Sequence, residues 1–123
     1  GVGHLGTTLL SYNGFKDYGL KIVYAFDIDK SIIGKTINGI PIYSLAELEY
    51  LCKKDTILIG IITVNETAAQ QVCDKMVASG IKAIWNFAPV YLKTPDDVIL
   101  QTENMASGLA YLSHCLFPNL EKK

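Results

Sequence analysis

The run TILIGII, Thr56 to Ile62, limits this chain more than any other stretch. It is continuous, β-branched and uncharged, as a strand covered on both faces must be. Such a strand needs helices above and below it, which points to a parallel sheet. The neighbouring patterns agree. Lys21 to Phe26, Ile40 to Tyr43, Lys82 to Asn86 and Val98 to Leu100 read as further strands. Leu5 to Tyr12 reads as a helix closed by Asn13 and Gly14, and the stretch after Asp29 has room for one helical turn at Lys30 to Ile33. Ser44 with Glu47 three residues on spells a capping box, opening a helix to about Lys53. A longer helix starts at Asn65 or Glu66, runs to Ala78 and is ended by Gly80. Pro89 and Pro95 bracket a loop. A last helix from about Asn104 to Phe117 stops at Pro118.

Onto this alternation the chain places GVGHLG, Gly1 to Gly6. Three glycines so spaced, before a helix, are a dinucleotide-binding signature when a strand precedes them and an acid follows about twenty residues on. Gly1 suits the tight turn, Gly3 lets a pyrophosphate approach the backbone, and Gly6 lets the helix pack closely. The first helical N–H groups, around His4 and Leu5, then point at the phosphates. Asp27, twenty-one residues after Gly6, is the acid. It is placed to accept hydrogen bonds from the adenosine ribose and to repel a 2′-phosphate, favouring NAD over NADP. The expected fold class is α/β, a Rossmann-like, mostly parallel sheet flanked by helices. The strand that should carry the turn is missing from the sequence. The expectation is a chain cut short at its amino end, with a buried slot and orphaned ladder groups where that strand belongs.

At 123 residues, half of them apolar, the chain has material for one domain with a real core. Its eleven basic residues are all lysine, interleaved with twelve carboxylates. The absence of arginine and of any basic patch speaks against a nucleic-acid surface here. Cys52, Cys73 and Cys115 stand apart, with no CxxC or Cys/His cluster, so neither a metal site nor a disulfide framework is expected. Isolated cysteines and the lack of a signal peptide or a transmembrane-length apolar run fit a cytoplasmic protein.

Ligands of such sheets lie beyond the carboxyl ends of the strands. Thr63 and Val64 reach that edge on the adenosine and pyrophosphate side. Asn86, Phe87, Ala88 and Pro89 reach it on the nicotinamide side, where the Asn86 amide suits either a carboxamide contact or loop bracing. His4 reads as a turn side chain over the phosphates or in solvent. No loop supplies an acid or base placed for hydride chemistry, and no catalytic residue is assigned. The last helix is apolar on more than one face, through Met105, Leu109, Leu112 and Leu116, which suits docking on its own sheet or on a partner.

GVGHLG, LLSYNGF, IVYAFDID, NGIPIY, IGIITV and GIKAIWNFAPVYLKTPDDV together resemble the C-terminal domain of the Rex family of redox-sensing transcriptional repressors, over essentially the whole chain. The resemblance implies a homodimeric, non-enzymatic NAD(H) sensor in which NADH binding releases operator DNA. The DNA would be held by an N-terminal winged-helix domain, which the sequence lacks. It implies that the last helix is exchanged between subunits, and that Phe15, Asn104, Met105, Leu109 and Leu112 belong to the dimer or signalling interface. This chain departs from the family pattern at His4, Thr7 and Asn104, where Asn, Arg and Asp are usual. Two other readings compete: a small NAD-dependent oxidoreductase fragment, and the coenzyme A-binding domain of a ligase-like protein. Asp27 weighs against the last, because coenzyme A carries a 3′-phosphate on that ribose.

Overall fold

The computed structural model describes residues 1–103 and 105–116. Asn104, Phe117 and Pro118, named above, lie outside them. In chain order the elements are α1 (His4–Ser11), β1 (Ala25–Asp27), β2 (Thr36–Ile37), β3 (Ile40–Ser44), α2 (Leu48–Lys54), β4 (Ile59–Ile62), α3 (Glu66–Ala78), β5 (Ala83–Asn86), β6 (Ile99–Thr102) and α4 (Met105–Leu116). Short 3-10 turns occupy Gly14–Tyr18 and Leu45–Glu47.

The strands form two three-stranded sheets, ordered β1-β3-β2 and β4-β5-β6. Every pairing is parallel except β2 with β3. This is the expected Rossmann-like arrangement of strands and helices, with one antiparallel hairpin the sequence reading did not foresee. Asn38 and Gly39 turn that hairpin with φ of 52° and 78°, as the two-residue type I′ turn requires.

Helices α2 and α3 cover one face of β4 and β5. Leu48, Cys52, Ala69, Val72, Cys73 and Met76 pack there against Ile62 and Ile84 in the main core. The start of α3 is capped by Asn65, whose Oδ1 accepts the Ala68 N–H at 3.1 Å. Gly80, at φ 93°, ends the helix, and the next N–H, from Ile81, returns to the Met76 carbonyl at 3.1 Å. A smaller core joins Leu10 of α1 to Ala25 and Ile42. Asn38 Nδ2 donates to the Leu10 carbonyl at 3.1 Å, tying the hairpin to the end of α1.

Three local expectations are corrected. The capping box does not form: Ser44 Oγ accepts from the Ala46 N–H, and a 3-10 turn intervenes before α2. The first strand begins at Ala25, not Lys21. The Ile42 N–H bonds to Lys35 on the β2 side, so alternation turns Pro41 toward β1, and Pro41 has no N–H to continue the ladder. The apolar strand begins at Ile59, not Thr56, because Thr56 sits at φ 52° in the turn leaving α2.

Candidate functional site

The glycine turn stands where the carboxyl ends of β1 and β4 converge. Gly1 donates its nitrogen to the Phe26 carbonyl at 3.0 Å, and its own carbonyl accepts from Thr63 Oγ1. The three glycines do different work. A Cβ on Gly1 would lie 2.9 Å from Val64 Cγ1, and one on Gly6 would lie 2.7 Å from the Gly1 carbonyl oxygen. Both positions are closed to a side chain. Gly3, by contrast, has nothing within 4 Å of that direction. It is exposed, and an incoming group reaches its backbone unhindered.

Gly3 is also the N-cap of α1, and no side chain caps the helix there; its first turn holds no acid. The free N–H groups of that turn leave a positive end open to an anion. His4 and Thr7 are exposed beside it, Leu5 is half-buried, and α1 carries neither lysine nor acid.

Asp27 ends β1 beside this turn. Its Oδ2 accepts the Val2 N–H at 2.7 Å. Its Oδ1 accepts from Ile28 at 2.7 Å and from Asp29 at 3.0 Å. Partial burial pushes the carboxyl up, but the Val2, Asp29 and Ile28 donors outweigh it and hold its pKa below the ordinary aspartate value. Asp27 is thus an ionised anchor of the turn, half-exposed, with lone pairs left for a hydroxyl donor.

Asn86 is fully buried at the end of β5. Its Nδ2 donates to the Ala88 and Val90 carbonyls at 3.1 and 3.2 Å, and its Oδ1 accepts the Ala88 N–H at 2.9 Å. Of the two roles open to it, loop bracing takes the whole amide. Ala88 is buried in the main core, 2 % exposed, so its side chain packs inward rather than toward a ligand. Phe87 is half-buried and Pro89 is exposed.

The sequence reading missed Trp85. Its ring lies 4.5 Å from that of Phe87 and 6.4 Å from that of Phe15, which in turn sits edge-on to Tyr12 at 4.9 Å. The signal was there: Trp85 and Phe87 flank Asn86, so strand alternation sets them on one face. Phe15 joins this aromatic row from the turn after α1. In α4, Leu109 and Leu112 are exposed, 71 % and 58 %. Met105 begins that helix. Among the described residues no group of three or more His, Cys, Asp or Glu could hold a metal, and no helix is long and apolar enough to cross a membrane.

A glycine turn feeding an uncapped helix, an acid ending the next strand and mostly parallel strand pairing are the features of a Rossmann-type domain. The chain belongs to the CoA binding domain family, whose model matches residues 1–90. Within that family its sequence and fold are of the Rex type. It is 43% identical over 112 residues to the redox-sensing transcriptional repressor Rex of Porphyromonas gingivalis, covering 91% of this chain and 51% of that protein. It is 46% identical over 112 residues to Rex of Treponema denticola, covering 91% and 53%. The crystal structure of RSP, a Rex-family repressor, in complex with beta-NAD+ and operator DNA superposes with a TM-score of 0.93 at 34% identity, over 97% of this chain and 55% of that one. RSP in complex with beta-NADH gives 0.90 at 34% identity, over 97% and 57%. The chain thus spans about half the length of these relatives.

Proposed function

We propose that this chain is the NADH/NAD+-sensing and dimerisation domain of a redox-responsive transcriptional repressor, cytoplasmic and without catalysis of its own. The observation that carries the reading is the joining of an open Gly3, the uncapped α1 and ionised Asp27 at one strand edge. These residues fit a dinucleotide. The α1 N–H groups from His4 to Gly6 would hold its pyrophosphate, with Gly3 admitting it. Asp27 would accept the adenosine ribose hydroxyls and disfavour a 2′-phosphate. Thr63 and Val64 fix the turn from the side of β4, and Phe87 and Pro89 would bound the nicotinamide side, held there by Asn86. The bound dinucleotide would supply the redox signal, its nicotinamide ring neutral when reduced and positively charged when oxidised. An apolar wall at that position favours the neutral form.

Transmission would run through a homodimer. The exposed apolar residues of α4 support its docking on a second subunit, and Phe15 would belong to the same interface. Preference for NADH in one dimer geometry would shift the population toward it, and operator DNA would be released through an N-terminal DNA-binding domain.

Calorimetric titration of the chain with NADH, NADPH and coenzyme A tests the ligand class. NADH should bind at least tenfold more tightly than the other two, a difference of about 1.4 kcal/mol. Tightest binding by coenzyme A would overturn the reading in favour of a coenzyme A-binding module.

A further inference from the structure

The loop side proposed for the nicotinamide has a charged neighbour. Strands β5 and β6 run parallel, with Trp85 beside Gln101 and Asn86 beside Thr102. The Glu103 N–H continues this ladder, donating to the Asn86 carbonyl at 2.8 Å. The next step of the register therefore sets Glu103 beside Phe87, on the face that Trp85 shares. Residues paired on one face of a sheet stand about 5 Å apart at Cβ. The Glu103 carboxylate is held on that face: its Oε1 accepts from Trp85 Nε1 at 3.3 Å and from Gln101 Nε2 at 3.4 Å. The Trp85 ring in turn lies 4.5 Å from that of Phe87. Glu103 is half-buried, and both of its side-chain partners are neutral. The ion pairs among the described residues are Lys53–Glu49 and Lys82–Asp97, and neither β5 nor β6 carries a cation.

A negative charge in this place distinguishes the two redox forms. The oxidised nicotinamide ring is positively charged and the reduced ring is neutral, while the pyrophosphate and both riboses are common to the two. Repulsion between Glu103 and the pyrophosphate therefore cancels when the two affinities are compared, and attraction for the oxidised ring remains. An apolar wall at Phe87 and Pro89 disfavours that charged ring. Glu103 draws the balance back, and its half-burial limits screening by solvent and salt. We infer that Glu103 is a specificity-determining residue of the dinucleotide site. Its carboxylate strengthens binding of the oxidised form and so sets the NADH/NAD+ ratio at which the site changes occupant. Trp85 is the positioning residue, whose N–H fixes the carboxylate without neutralising it. This inference rests on the dinucleotide reading above.

The test titrates the intact chain and two variants with NADH and with NAD+ by calorimetry. Glu103→Gln keeps an oxygen that accepts from Trp85 and removes the charge. It should weaken NAD+ about fivefold and leave NADH within about twofold, so that the ratio of the two affinities widens about fivefold. Glu49→Gln makes the same change of net charge on α2, where the carboxylate is exposed and bonded to Lys53, and should leave the ratio as it is. A salt series needs no variant. Raising the ionic strength from about 0.01 M to about 1 M shortens the Debye length to about 3 Å, which should widen the ratio in the unaltered chain and not in Glu103→Gln. The inference is overturned if Glu103→Gln leaves the ratio unchanged or weakens both forms equally. It is overturned too if Glu49→Gln widens the ratio as much, or if salt leaves the ratio of the unaltered chain unmoved. An unaltered chain that binds neither dinucleotide overturns the dinucleotide reading, and this inference falls with it. One that binds both, with a ratio indifferent to Glu103, overturns this inference alone.

Discussion

Gly6, Asp27 and Asn86 carry the site, each through a different physical constraint. For Gly6 the constraint is space. An alanine there meets a backbone oxygen, which cannot swing aside as a side chain would. Gly6→Ala should therefore destabilise the chain by about 1–3 kcal/mol in urea melts, and displace the turn proposed to receive the pyrophosphate. For Asp27 the constraint is charge. Asp27→Ala removes the acceptor of three backbone donors, and with it the proposed ribose contact, so NADH affinity should fall by tenfold or more in calorimetry. Because the folded pKa of Asp27 lies below its unfolded value, its contribution to stability is complete above the unfolded pKa, about 3.9. It is lost as pH falls through the lower, folded value. Melts recorded from neutral pH downward should show that loss, and Asp27→Asn should remove this part of the acid dependence. For Asn86 the constraint is burial. Asn86→Ala leaves the Ala88 and Val90 backbone groups without partners, and a loss of about 2–3 kcal/mol in urea unfolding is expected.

At the scale of elements, legibility followed local chemistry. Helix α3 was readable because Asn65 caps it, Gly80 ends it and its apolar positions recur with helical period. Strands β4 and β5 were readable from β-branched runs, though not their starts. Where the reading failed, tertiary geometry had overruled local pattern. Pro41 shortens β1 from across the ladder, an effect invisible in KIVYAF itself. Ser44 and Glu47 spell a capping box, yet a 3-10 turn takes the position. The Asn38-Gly39 signal for the hairpin was local and strong, and the surrounding turn residues hid it. The glycine turn and Asp27 were legible as a motif by spacing. That Asn86 is consumed by its own loop, and that Trp85 joins Phe15 and Phe87, needed coordinates, because sequence spacing does not say which way an amide points.

At the scale of the molecule, α4 is the surface left uncovered in a single copy of the chain: its Leu109, Tyr111, Leu112 and Leu116 are all more than half exposed. A helix with so much uncovered apolar surface has little to hold it in isolation. Replacing Leu109 and Leu112 together by lysine should shift a dimer toward monomer in sedimentation, and leave the fold of β4, β5 and α3 unchanged by amide exchange. Unaltered association would show that the subunits meet elsewhere. The central claim concerns redox state, and it is tested most directly by titrating the chain with NADH and with NAD+ under identical conditions. The account predicts saturable binding of both, with NADH the tighter by at least tenfold. Equal affinity, or preference for NAD+, would contradict it.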